Sequence, residues 1–145
     1  MATTAAPYGA RPIGTLSASG SFTGVTKHLP IITTYNTLIS NGDFVTLAAN
    51  GTITKNAGTT SLGCVGIFMG CSYTDPTTSQ KTFSNYWPAS NAATDAMAYV
   101  LDDPFVLIQM QADEAMNTTD RGLNAAVVVT AGSATFGKSK NALDG

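Results

Sequence analysis

Two cysteines, one histidine and one adjacent pair of aspartates are the residues of greatest chemical reach in this chain. Cys64 and Cys71 flank Val65-Gly66-Ile67-Phe68-Met69-Gly70, a run of strand-like composition. An extended segment advances about 3.3 Å per residue, which holds the two backbone positions some 20 Å apart. A disulfide needs Cα atoms within about 7 Å, so the pair reads as two small buried hydrophobes. Two Cys and the single His28 do not supply the four protein ligands of a structural zinc site.

His28, in Lys27-His28-Leu29-Pro30, is the one imidazole available for acid–base work. No Gly-x-Ser-x-Gly elbow accompanies it, and Ser19 between Ala18 and Gly20 reads as loop. A small hydrolase built on His28 therefore ranks last among the functional readings. Asp102-Asp103 offers a carboxylate pair, but Pro104 follows and marks a turn between strands. The glycines are dispersed, and no Gly-Lys-Ser/Thr closes a phosphate-cradling loop. The expectation is a protein that is not an enzyme, with no catalytic residue, metal, cofactor or small-molecule substrate.

Only 11% of the 145 residues are charged and the net charge is −2, against about 25% charged in an ordinary domain. That balance excludes a general nucleic-acid binder, which needs a basic stripe to displace counterions. It equally excludes a polybasic membrane-surface protein, and no run approaches the roughly 20 apolar residues of a membrane span. Solubility must come from Thr, Ser, Asn and Gly. The opening residues lack a basic start and an apolar stretch, so no secretory signal is expected. Asn50-Gly51-Thr52 and Asn117-Thr118-Thr119 then read as turn residues and not glycosylation sites.

The elements that must position any function are strands. Residues 1–24 hold Pro7, Pro12 and many small residues, and are expected as an extended N-terminal arm anchored by Tyr8, Arg11, Ile13, Leu16 and Phe22. Residues 25–131 form the β-rich domain. From about Leu29 the pattern turns to strand, the run 31–35 being β-branched and aromatic. Asn41-Gly42-Asp43 marks a turn, and Asn50-Gly51 marks a hairpin. A three-residue loop with Gly51 left-handed pairs Leu47 with Ile53 and Val45 with Lys55, placing the apolar side chains on one face. Val65, Ile67, Met69, Cys71 and Tyr73 share a parity while Phe68 adds apolar surface opposite, so both faces are covered there. A hairpin tip at 75–79 leads to a strand over 82–87. Further strands are read at 98–101, 105–111 and 125–130, with 105–111 as the central strand because it is apolar on both parities. Residues 113–124 read as a polar connection with one helical turn, and 132–145 as a loose C-terminal tail. Short strands with frequent turns and no fixed-period repeat indicate one all-β domain, a small β-barrel or β-sandwich with at most one or two short helical turns.

Several motifs in order resemble the small capsid decoration (cement) proteins of tailed bacteriophages, of marine or cyanobacterial type. They are Gly42-Asp-x-Val-x-Leu with Gly51-x-Ile53, Val65-Gly66-Ile67, and Tyr73-Thr-Asp75. Tyr86-Trp87-Pro88-Ala89, Tyr99-Val-x-Asp102-Asp-Pro104 and Gln109-x-Gln111-Ala112 continue the series, and Pro7-Tyr8-Gly9-x-Arg11-Pro12 opens it. The resemblance implies a virion protein on the outer capsid surface, made in the bacterial cytoplasm. Its implied partners are the major capsid protein and itself, as a homotrimer at three-fold positions. Tyr8, Arg11 and Trp87 are the side-chain types that dominate interfaces, and the arm is expected to add a strand to a coat-protein sheet edge. The alternative is a carbohydrate- or receptor-binding β-domain of a tail fibre or adhesin, with Trp87, Tyr86 and Tyr73 stacking on sugars.

Overall fold

The computed structural model describes residues 5–16, 24–58 and 63–145. Twelve strands and one 3-10 turn are formed among the described residues, a small all-β fold whose sheets are open. In chain order the strands are β1 (Arg11–Thr15), β2 (Lys27–Pro30), β3 (Ile39–Ser40), β4 (Phe44–Leu47), β5 (Ile53–Lys55) and β6 (Gly66–Thr74). They continue as β7 (Lys81–Ser84), β8 (Tyr86–Trp87), β9 (Met97–Leu101), β10 (Val106–Gln109), β11 (Val127–Val128) and β12 (Ala142–Leu143). The single helical turn is Thr118–Asp120.

The nine-residue β6 is the spine of the main sheet. β9 lies along one edge of it, with β2 beyond; β4 pairs with its first residues and β7 with its last, and β5 flanks β4. The β4–β5 hairpin has the register that its hydrophobic pattern predicts, Leu47↔Ile53 and Val45↔Lys55, around Gly51 at φ +80°. The 75–79 tip is closed by Asp75, whose Oδ1 accepts the N–H of Thr77 and Thr78.

Both faces of this sheet are covered. One carries Val45, Ile53, Phe68, Cys71, Tyr73, Ala98 and Val100 under Ile31, Ile39, Trp87 and the 93–96 segment. The other carries Phe44, Ile67 and Leu101 under Ala10 and Val127. Neighbours such as Phe44 and Val45 thus serve opposite cores, as strand alternation requires. Alternation alone would put Ile67 with Cys71 and Tyr73, yet Ile67 belongs to the second core. The cause is a bulge: Phe68 faces Val100 and Gly70 faces Tyr99, so Met69 is the extra residue that reverses the parity. Gly70 takes φ +151°, and a Cβ there would sit 2.9 Å from the Ser84 carbonyl oxygen.

Four segments differ from their sequence expectation. The 31–35 run is not a strand: β2 ends at Pro30, Ile31 makes an isolated bridge to Ile53, and Thr34 turns at φ +59°. The 105–111 run is not central: β10 pairs only with β1, in a separate two-stranded ribbon. Residues 8–16 of the expected arm are woven into the body, Ala10 lying in the second core. The expected loose tail is packed as well. Ser139, Asn141 and Ala142 are buried, and β12 pairs with β11.

Candidate functional site

The β1–β10 ribbon gathers exposed apolar side chains from two strands, whereas Val25, Leu47, Phe83, Leu123 and Phe136 are exposed on other segments. Arg11 faces Gln109, Pro12 faces Ile108, Gly14 faces Leu107 and Thr15 faces Val106, so Ile13 bulges outward between the paired positions. The ribbon ends where Leu16 N–H donates to the Phe105 carbonyl at 2.8 Å. At its base Val106 packs on the second core. Beyond that, Ile13, Leu16 and Phe105 are 58%, 68% and 62% exposed, and Leu107 and Ile108 are 41% and 40% exposed. Leu107 and Ile108 point to opposite faces. Val106, Ile108 and Met110 lie on the side of the second core, Ile108 sharing a cavity with Phe44 and Leu101, while Phe105 and Leu107 lie on the open side. An isolated two-stranded ribbon is marginal in water, and clustered exposed apolar side chains mark docking surfaces. Between Pro12 and Leu16, and again from Phe105 to Gln109, no residue is charged.

At the foot of the ribbon lies a groove of about 510 Å³ lined by Tyr8, Ala10, Arg11, Pro12, Asn41, Met69 and Lys138. Its floor is fixed by the β6 bulge, where the Met69 carbonyl accepts from Asn41 Nδ2 at 2.7 Å. The ion pairs among the described residues are Lys27–Asp102, Lys55–Asp43 and Lys81–Asp95. Arg11 and Lys138 face the groove without a carboxylate partner among those residues.

A buried polar knot holds the groove's walls. Asp43 is wholly buried; its Oδ2 accepts Ser40 N–H and Lys55 Nζ, each at 2.9 Å, and its Oδ1 accepts the Ser139 hydroxyl at 2.5 Å. Lys55 Nζ also donates to the Thr130 carbonyl, and Asn141 Oδ1 accepts Thr130 N–H. Asn141 then takes Gly9 N–H on its carbonyl, while Ala10 N–H donates to Gly42. Gly9, at φ +78°, packs so closely that a Cβ would stand 2.4 Å from that of Ser139. The Asn-Gly-Asp turn read from sequence is thus also the buried anchor of both ends of the described chain.

No protein-family model, curated protein or solved structure matches this chain.

Of the residues expected at an interface, Tyr8 and Arg11 meet in the groove, and Ile13 and Leu16 lie on the ribbon. Phe22 lies outside the described residues. Trp87 requires correction: it is wholly buried, edge-on to Tyr73 at 5.5 Å, with its Nε1 donating to the Tyr35 carbonyl. Tyr73 is buried too, so neither ring presents a face to a sugar. His28 is exposed on β2 and packs edge-on to Tyr99 at 4.7 Å. No Ser hydroxyl or carboxylate hydrogen-bonds it among the described residues. Of the two cysteines expected to be buried, Cys71 is and Cys64 is exposed; burial pushes the Cys71 thiol up to about 12. Asp102 pairs with Lys27, and Asp103 Oδ1 caps its own turn through Phe105 N–H.

Phe105, Leu107, Ile108 and Lys138 are the surface residues that sequence reasoning missed. The signal was present for the first three, because apolarity on both parities describes a ribbon with one face on a core and one open face as well as a central strand.

Proposed function

We propose that the chain is a capsid decoration protein that adheres to the outside of an expanded tailed-phage head and stabilises it against DNA pressure. The observation that carries this reading is the β1–β10 ribbon beyond Arg11, where Ile13, Leu16, Phe105 and Leu107 stand exposed together with no charged residue from Pro12 to Leu16 or from Phe105 to Gln109. The ordered motif resemblance points the same way. Adhesion of this kind needs no reactive group. A protein that binds only the mature lattice stabilises it by RT ln(1 + [L]/Kd) per site. Moving a shell equilibrium from 1:99 to 99:1 takes about 5.5 kcal/mol of differential affinity. Several copies joined to one another convert modest contacts into long residence through effective concentration. A surface poor in charge also sheds few hydrated ions when it is covered.

The test is to mix the purified protein with undecorated expanded heads of the phage that encodes it, sediment them, and count the bound copies. Saturation at a stoichiometry matching lattice three-folds is expected. Phe105→Ser combined with Leu107→Ser, both on the open side of the ribbon, should leave the fold intact and cut binding at least about tenfold, as loss of central apolar anchors does. Failure of the wild-type protein to co-sediment would remove the proposal.

A further inference from the structure

The charges left over after local pairing, Arg121 apart, gather in two places of opposite sign. The chain has nine Asp and Glu residues. Asp43, Asp95 and Asp102 are spent on lysines. Asp75, Asp103 and Asp120 accept the N–H groups of their own turns. The remaining three, Asp113, Glu114 and Asp144, are all exposed and lie at one corner. There the 111–113 segment runs beside residue 143, Leu143 N–H donating to Gln111 and Asp113 N–H to Leu143, and Gly145 rests against Glu114. Asp113 also accepts a 3.3 Å bond from Gly145 N–H.

Three of the four unpaired cations lie together, and the fourth, Arg121, lies apart beside Met116 and Asp120. Of seven Lys and Arg, three are in the ion pairs above, leaving Arg11, Arg121, Lys138 and Lys140. Arg11 and Lys138 line the groove beside Tyr8. Lys140 follows on the same outward side, since Gly137, Ser139 and Asn141 alternate with it inward.

We propose that the groove of Tyr8, Arg11 and Lys138 receives the acidic corner of Asp113, Glu114 and Asp144 from a second copy of this chain. The partner is identified by complementarity: a guanidinium and an ammonium against three carboxylates, on a surface where few other charges compete. Charged groups arranged in this way set register and encounter rate, while the neighbouring apolar ribbon supplies area. Groove and corner are different surfaces, so copies pair either reciprocally across a two-fold or head-to-tail around a closed ring. The inference rests on the self-association part of the reading above, and its test contains no capsid. A negative result here therefore leaves head binding to be decided by its own sedimentation experiment.

The experiment is sedimentation equilibrium on four samples: wild type, the Arg11→Glu/Lys138→Glu double variant, the Asp113→Lys/Glu114→Lys double variant, and an equimolar mixture of the two variants. Wild type should self-associate, more weakly as salt is raised. Each double variant should associate at least about tenfold more weakly. The mixture, in which reversed groove meets reversed corner, should recover association. A wild type that stays monomeric at its highest soluble concentration would overturn the proposal. So would double variants that associate as tightly as wild type, or a mixture that does not recover. All four substituted side chains are exposed. Should a double variant not fold, the single changes Lys138→Glu and Glu114→Lys carry the same comparison.

Discussion

At the scale of single residues, the stability of this chain turns on hydroxyls that sequence composition treats as interchangeable. Ser139 and Ser40 are both buried and both border the Asp43 knot. The Ser139 hydroxyl donates to Asp43 and accepts from Asn141 N–H. The Ser40 hydroxyl has no protein partner among the described residues, and Gly132 stands so close that a Cβ would lie 2.1 Å from it. Removing one partner from a buried pair costs roughly 1–3 kcal/mol, more where the orphan is charged, whereas deleting an unsatisfied hydroxyl relieves a desolvation cost. Ser139→Ala should therefore lower the unfolding free energy by about 2–3 kcal/mol, and Ser40→Ala should leave it unchanged or raise it. Urea denaturation of the two variants under one set of conditions decides this. Equal losses would show that the two hydroxyls are not distinguished by their partners.

At the scale of elements, short-range chemistry was legible in the sequence and long-range placement was not. The β4–β5 register could be read because Gly51 fixes the loop length and a one-residue slip would invert every side chain. The β6 bulge could not, because the parity reversal at Met69 depends on β9 across the sheet and on Asn41 beneath it. The place of β10 outside the main sheet was not legible for a related reason: composition records that a segment is apolar, not which strand it pairs with. The 132–145 segment misled in the opposite direction, since Ser139 and Asn141 look like loop residues until Asp43 and Thr130 are seen to need them. Asp95 shows how such a tie between elements answers to pH. Its carboxylate accepts Thr74 N–H at 2.8 Å, the Thr74 hydroxyl at 2.7 Å and Lys81 Nζ at 2.9 Å, clamping the 88–96 segment to β6 and β7. The Thr74 backbone bond, then the Lys81 and Thr74 side chains, hold its acid well below the ordinary 3.8. The folded state therefore binds this proton less readily than the unfolded chain. The clamp's contribution is complete above the unfolded value and is lost as pH falls through the lowered one. Asp95→Asn should lower the urea midpoint at about pH 7 and flatten its decline towards pH ~3. An acid limb as steep as that of wild type would place the proton uptake on other carboxylates.

At the scale of the whole molecule, the two ends of the described chain and the turn at 40–43 behave as one structural unit. A freely detachable arm would be lost without consequence, but residues 8–16 do three separate things here. Ala10 fills the second core, Gly9 N–H satisfies the Asn141 carbonyl, and residues 11–15 pair with the whole of β10. A truncation ending before Pro7 removes none of these. One that also removes residues 7–10 orphans the buried Asn141 and Gly42 carbonyls and opens the core beside Phe44 and Val127. Unpaired buried groups cost about 1–3 kcal/mol each, a large part of a domain's usual 5–15 kcal/mol. Deleting residues 1–6 should leave the melting temperature within a few degrees of wild type, whereas deleting 1–10 should lower it by roughly 10 °C or more, at about 2–4 °C per kcal/mol for somewhat larger domains and more for smaller ones. Differential scanning calorimetry of the two truncations measures the difference, and equal melting temperatures would mean that the N-terminal segment contributes nothing to the body. The same coupling bears on adhesion. Any force or partner that pulls on the ribbon acts through Gly9 and Asn141 on the Asp43–Lys55 pair, so a docked ribbon and a stable body cannot be separated by trimming one end.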